Sequence, residues 1–429
     1  MQTEQLIVGL FLALFVLEFL VEFVLNEINL RHVRGNASEP RIPDCFEGRM
    51  APEDYRKSIE YTLAKGRFQR WGRIYDGLIT LWILFGGVLP SFDKLARDLG
   101  RTFPAGTQAT GILFCVGVGL IVSFLSLPTD LYGTFVLEER FGFNKTTPRL
   151  YVADKLKGLV LGLIIGVPFL LTVLWLMDAA DSLWWLWACF FVISFQLLMV
   201  VLYPALIAPL FNKFEPLIDG ELRRRILALA DQVGFRTGGI YTMDGSRRSA
   251  HSNAYLTGLG KSKRIVLFDT LVEQMTTDQG VAVLAHEIGH YKMKHIRRML
   301  VVRAIFLLAG LYVLSLLLDY EPLFRAFSLA GPSHHAALVL FSVLSAPATF
   351  FLHPLMNSIS RRHEHEADRF AARTLSDGKP MEEALIKLTV KNLSNLTPHP
   401  WYSAYHYSHP AAVERIRAIR REPSQGGSP

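Results

Sequence analysis

The run LWWLWACFFVISFQLLMVVLYPALIAPLF, Leu183 to Phe211, contains no charged residue. A helix rises about 1.5 Å per residue, so about 20 apolar residues cross a hydrocarbon core of about 30 Å. This run is long enough to do so. Six others are close to that length, near residues 5–25, 74–92, 109–128, 157–177, 299–318 and 336–356. The chain therefore reads as a mainly α, polytopic membrane protein with seven transmembrane helices. Its composition agrees, with 51% hydrophobic and 19% charged residues and a mean hydropathy of +0.27. So much apolar surface needs a bilayer as its solvent.

The formal charge of +7 would raise nucleic-acid binding in a soluble protein. Here the basic residues fall between apolar runs, so they read as topology, and no nucleic-acid partner is expected. Arg31, Arg34, Arg41, Arg49, Arg56, Lys57, Lys65, Arg67 and Arg70 lie between the first two runs. Arg223, Arg224, Arg225, Arg247, Arg248, Lys261, Lys263 and Arg264 lie between the fifth and sixth. The connection between runs four and five has no Lys or Arg, and that between six and seven has only Arg325. The positive-inside rule then puts the N-terminus outside or in a lumen, and both large loops and the C-terminus in the cytoplasm. Glu18 and Glu22 in the first run share one stripe and, like Asp76 in the second, are expected to face the protein interior. The first run lacks a basic leader and a small-residue cleavage site, so it reads as a retained span.

Four regions follow. Residues 1–210 hold five spans with long cytoplasmic loops. Residues 211–298 read as a small cytoplasmic α+β part, opening on a charged amphipathic helix near Glu221–Val233. It continues through strand-like runs at Gly239–Met243 and Arg264–Phe268 to a helix from about Thr277. Residues 299–356 carry spans six and seven. Residues 357–429 read as helix, a Pro/His/Tyr-rich loop and a short basic helix, with a disordered tail over 423–429. Cys45, Cys115 and Cys189 make no disulfide framework, and no cysteine pair has metal-site spacing.

Any metal must therefore use His and carboxylate ligands. Leu284-Ala285-His286-Glu287-Ile288-Gly289-His290 places two imidazoles one helical turn apart on one face. Glu287, one step round the helix, can meet a water at the ion without ligating it. Neutral imidazoles suit Zn²⁺, and a catalytic zinc needs a third protein ligand and an open position. Ser360-Arg361-Arg362-His363-Glu364-His365-Glu366-Ala367-Asp368 offers that ligand. Glu364 and Asp368 share a face, and Glu366 points roughly the opposite way. One of the paired carboxylates can bind zinc while the other hydrogen-bonds a ligand imidazole. His363 and His365 are further possible ligands. The same charge pattern also fits a solvated, ion-paired helix. His295 and His353 read as structural.

Beyond this cluster, three other segments carry a resemblance: Leu127–Tyr132 with Glu138–Asn144, Tyr203-Pro204 with Ile207–Phe214, and Ser252–Tyr255 with Arg264–Leu271. With H-E-I-G-H, the Glu364–Asp368 pair and Ser408-His409-Pro410, the chain resembles the type I CAAX prenyl endopeptidases, integral membrane zinc proteases. The resemblance implies seven helices enclosing a water-filled chamber that the metal site faces. It implies Glu364 as the third ligand of one zinc per chain, with Asp368 orienting a ligand His. It implies Asn253, Ala254 and Tyr255 as a strand that pairs with substrate backbone, and His409 near the scissile carbonyl. His365 departs from the pattern, which usually has an aromatic residue there.

The reaction expected is peptide hydrolysis, with Glu287 as base and then acid, and with zinc and His409 stabilising the oxyanion. The expected substrate is a peptide or protein C-terminus, of CAAX type and prenylated. One alternative is a quality-control or peptide-degrading zinc protease without a prenyl requirement. An alternative of another class is a seven-span receptor or transporter lined by the buried acids. The membrane would be a bacterial inner membrane or the endoplasmic reticulum.

Overall fold

The computed structural model describes residues 2–38, 41–258 and 263–421. The expected disordered tail at 423–429 and Lys261 of the basic loop lie outside them.

Among the described residues, five helices are long and apolar enough to cross a membrane, or up to seven elements if two bent pairs each count as one span. The chain begins with α1 (Gln2–Ser38) and α2 (Pro52–Phe85). These two approach closely where Gly66 meets α1: a Cβ there would sit 2.6 Å from Leu30, and Asn26 Nδ2 donates to the Gly66 carbonyl at 3.0 Å. The second expected span is broken. Gly86 has no room for a side chain against the Trp82 carbonyl and Gly87 is left-handed at φ 77°, so α3 (Val88–Gly100) leaves α2 at 55°.

Next come α4 (Gly106–Leu125), α5 (Leu127–Tyr132) and a π-helical turn at Gly133–Glu138. They are followed by α6 (Pro148–Ala179), α7 (Trp184–Leu202), a second π turn at Tyr203–Ile207 and α8 (Ala208–Phe211). Two of the acids in the first two spans turn inward: Glu18 is buried against Arg73 and Glu22 lies 3.3 Å from His406, whereas Asp76 is exposed and lines an open cavity.

The small sheet has the order β1-β2-β4-β3, from β1 (Phe214–Pro216), β2 (Ile240–Met243), β3 (Ala254–Thr257) and β4 (Arg264–Phe268). β2 and β4 run parallel and the other neighbours antiparallel, which leaves β3 on an edge. α9 (Glu221–Gln232), α10 (Asp269–Gln274) and α11 (Thr277–Lys292) accompany it. α12 (His295–Leu317), α13 (Glu321–Ala326) and α14 (His334–Phe350) return to the apolar region. α15 (His353–Thr374) then turns 64° from α14 and carries the charged cluster. α16 (Lys379–Lys391), α17 (Pro400–His406) and α18 (Ala412–Arg421) complete the chain.

Two main cores result. One fills the apolar bundle around Phe114, Leu174 and Phe324. The other joins the sheet, α11 and α16 to Val33 of α1, Phe46, and Tyr55 and Ile59 of α2.

Candidate metal centre

α11 starts at a reciprocal cap, in which Thr276 Oγ1 accepts from Gln279 N while Gln279 Oε1 accepts from Thr276 N. Apolar residues bury three sides of this helix, and its remaining face meets α15. The contact is close because Gly289 has no side chain. A Cβ there would lie 3.2 Å from Ala367 Cα and 3.1 Å from Phe370 Cδ1. Gly289 of the H-E-I-G-H run and Ala367 beside the acidic pair thus let the two polar faces converge.

Where they converge, His286 Nε2 and His290 Nε2 lie 3.1 Å apart. Glu364 Oε2 is 3.4 Å from the first and Glu364 Oε1 is 3.2 Å from the second. Glu364 Oε2 is buried without a well-formed hydrogen bond, although His409 Nδ1 is 2.8 Å away. Ligand atoms on a tetrahedral zinc with bonds of about 2.0–2.1 Å are separated by roughly 3.3 Å. Two facing imine nitrogens and a carboxylate at that spacing suit a shared cation, and the residues fit zinc. Among the described residues these three form the one group placed to hold a metal.

The outer nitrogens of both rings are held. His286 Nδ1 lies 2.8 Å from Asp368 Oδ1 and donates to it, which leaves Nε2 free to face the centre. Burial disfavours a charged His286, but the Asp368 and Glu364 carboxylates outweigh it and hold the ring's pKa at about 9 in the metal-free protein. Burial also pushes the Glu287 carboxyl above its ordinary value.

Two supporting groups escaped the sequence reading. Arg415 on α18 makes a bidentate pair with Asp368, Nε to Oδ2 at 2.8 Å and Nη2 to Oδ1 at 2.6 Å. Its Nη1 lies 3.6 Å from Glu364 Oε2. In the sequence it is one arginine among several on a short basic helix. His295, read as merely structural, lies against the other ring, Nδ1 to Nδ1 of His290 at 3.1 Å, and its Nε2 is 2.9 Å from Glu366 Oε2. Lys294, left-handed at φ 59°, makes the turn that sends His295 back. No spacing signals this contact, because a straight helix would place His290 and His295 on different faces. His363 stacks on His295 at 4.0 Å, away from the centre, and His365 is not in the metal-holding group. Glu366 points away from the centre as its position required.

Asn253, Ala254 and Tyr255 lie on the sheet's free edge. Phe268 N donates to Asn253 O at 3.0 Å, which fixes the alternation along the antiparallel pair. Tyr255 and Thr257 turn their backbone groups to β4, and Ala254 and Leu256 turn theirs outward. The Asn253 side chain accepts from the outward Ala254 N–H at 2.8 Å. Asn392 Oδ1 accepts from Ser252 N at 3.3 Å, so pairing on this side ends there. His409 is 64% exposed, with its ring turned to the Glu364 carboxylate. Asn253, His409 and Arg415 line one cavity of about 1020 Å³. Its far wall carries Glu138, which accepts from Tyr61 OH at 2.6 Å and lies 3.3 Å from His251.

Comparisons with known proteins show the family. Residues 30–213 match the family described as CAAX prenyl protease N-terminal, five membrane helices, and residues 216–423 match Peptidase family M48. The CAAX prenyl protease 1 homolog of Arabidopsis thaliana is 39% identical over 392 residues, covering 89% of this chain and 91% of the relative. The CAAX prenyl protease 1 of Saccharomyces cerevisiae is 37% identical, covering 89% of each. The crystal structure of S. mikatae Ste24p superposes with a TM-score of 0.86 at 35% identity, covering 95% of this chain and 97% of that one.

Proposed function

The chain belongs to the CAAX prenyl protease members of peptidase family M48 and is an integral membrane metallopeptidase, and from that premise we propose that it is a zinc endopeptidase acting on prenylated C-terminal segments. The observation that carries the reading is the set of three ligand atoms 3.1–3.4 Å apart, with His409 beside Glu364 and lining one cavity with Asn253.

His286, His290 and Glu364 would hold the ion, and Asp368 and His295 fix the two imidazoles. A zinc held there would supply Lewis-acid polarisation of the carbonyl and would lower the pKa of the attacking water. Glu287 is placed to take a proton from the attacking water and pass it to the departing amine. The exposed His409 swings from Glu364 to donate to the oxyanion. The substrate lies as an added strand along β3, bonded to the outward groups of Ala254 and Leu256, and the Asn253 side chain yields its place. Recognition of this kind reads backbone, so it favours extended tails. The active site and C-terminus face the cytoplasm, as the basic loops imply. A receptor or transporter would leave the three-ligand centre without a use.

The test is hydrolysis by the purified protein of a farnesylated C-terminal peptide against its unprenylated twin, with zinc analysis before and after chelation. The expected result is one zinc per chain, activity lost with the metal, and preference for the farnesylated peptide. Equal cleavage of both would favour a general peptide protease. Chelator-resistant cleavage would overturn the zinc reading.

A further inference from the structure

The cavity lined by Asn253 and His409 adjoins a larger one of about 1990 Å³. Residues that line both include Lys65, Gln69, Glu138, Tyr402 and Tyr407. We propose that the crevice between α4 and α6 in this second cavity receives the isoprenoid chain of the substrate. This rests on the reading of prenylated substrates above.

α4 and α6 touch at one end, and at the other Asp130, just beyond α4, pairs with Lys155 and accepts from Tyr151 OH of α6 at 2.9 Å, so the open space lies between these two ties. At the far end they are tight: a Cβ on Gly111 would lie 2.7 Å from Leu174. Pro168 interrupts α6 before that contact. Toward the catalytic side, a Cβ on Gly119 of α4, or on Gly158 or Gly162 of α6, would meet nothing within 4 Å. That end of α6 is tied to the catalytic part by the Asp154–Arg248 pair at 2.8 Å.

The two walls of the cavity differ. Leu120 and Phe124 of α4, with Leu156, Leu159 and Leu163 of α6, form an apolar side. They are well exposed, Phe124 at 71% and Leu156 at 58%. Across from it α1 and α2 contribute Glu22, Arg73 and Asp76, while Asp130 lies at the α6 end, paired with Lys155. An apolar wall in a cavity adjoining the one beside the strand edge fits one amphiphile, a peptide carrying a hydrocarbon tail. A bilayer lipid would satisfy the leucines but has no need of the strand edge. An isoprenoid on a cysteine near a chain end must lie within reach of a bond cleaved near that end.

Gly158→Leu and Gly162→Leu place side chains in open space on a helix that leucine favours, so both variants should fold. Each is assayed as full-length protein on the farnesylated peptide and its unprenylated twin, with zinc content as the check on folding. The expected result is that the farnesylated-to-unprenylated ratio of kcat/KM falls about tenfold. An unchanged ratio in zinc-replete variants, with wild type still discriminating, overturns the crevice alone. A wild type that does not discriminate overturns the prenyl reading and the crevice together. As a second measurement, a peptide with a diazirine on its isoprenoid is expected to label residues 116–124 and 156–163. Labelling confined to other helices overturns the assignment. So does labelling of these helices by a diazirine phospholipid that the farnesylated peptide fails to displace.

Discussion

Glu287 and His295 differ in what their loss should remove. Glu287 sits beside the ligands with its carboxyl raised by burial, and no metal bond is asked of it. Glu287→Gln should keep one zinc per chain and lose about 10²–10⁴-fold in kcat, the usual worth of general acid–base catalysis. Undiminished cleavage by a zinc-replete variant would remove it from the mechanism. His295 acts through His290, with Glu366 behind it. His295→Ala should therefore weaken zinc about 10–100-fold in a competition titration. Replacing the zinc with cobalt should show an altered visible spectrum, which loss of packing alone would not give. The H-E-I-G-H run and the Glu364–Asp368 pair were legible because ligand chemistry dictates residue type and helical spacing, while the choice of Glu364 within the pair came from the family resemblance. Arg415 and His295 were not. One arrives from a distant helix, and the other depends on a left-handed turn at Lys294 that no periodicity announces.

Elements decide whether those residues meet. α11 and α15 approach because Gly289 and Ala367 are small, and Gly289→Leu forces the helices apart. Overpacking of this kind costs about 1–3 kcal/mol, so thermal unfolding should come earlier and zinc occupancy should fall. The β3 edge makes a separate prediction. The Leu256 N–H points outward and Tyr255 N–H pairs with β4, so proline at 256 removes a donor meant for substrate and leaves the sheet intact. Leu256→Pro should raise KM with zinc content unchanged, whereas Tyr255→Pro should damage the fold. An unchanged KM in Leu256→Pro would argue against strand addition. The strands at 240–243 and 264–268 could be read from their apolar runs. Which strand lies at the edge could not, because that follows from the β1-β2-β4-β3 order.

At the scale of the whole molecule, the apolar runs were visible because bilayer thickness sets their length. The break at Gly86–Gly87 was hidden, since hydropathy continues through it while backbone geometry does not. The same scale governs what can be cut away. Val33, Phe46, Tyr55 and Ile59 belong to the core that supports α11. Fully burying such side chains is worth about 1.5–3 kcal/mol each. A fragment of residues 211–429 should therefore fail to bind stoichiometric zinc, as metal analysis after purification would show. A soluble fragment with one zinc would disprove the shared core. The joining of membrane helices and catalytic core also has a mechanical consequence. α1 and α2 tilt with the thickness of the lipid around them. Val33, Tyr55 and Ile59 build them into the body that positions α11, so a change in membrane thickness is expected to act on how α11 meets α15, read as a rate that varies with lipid chain length.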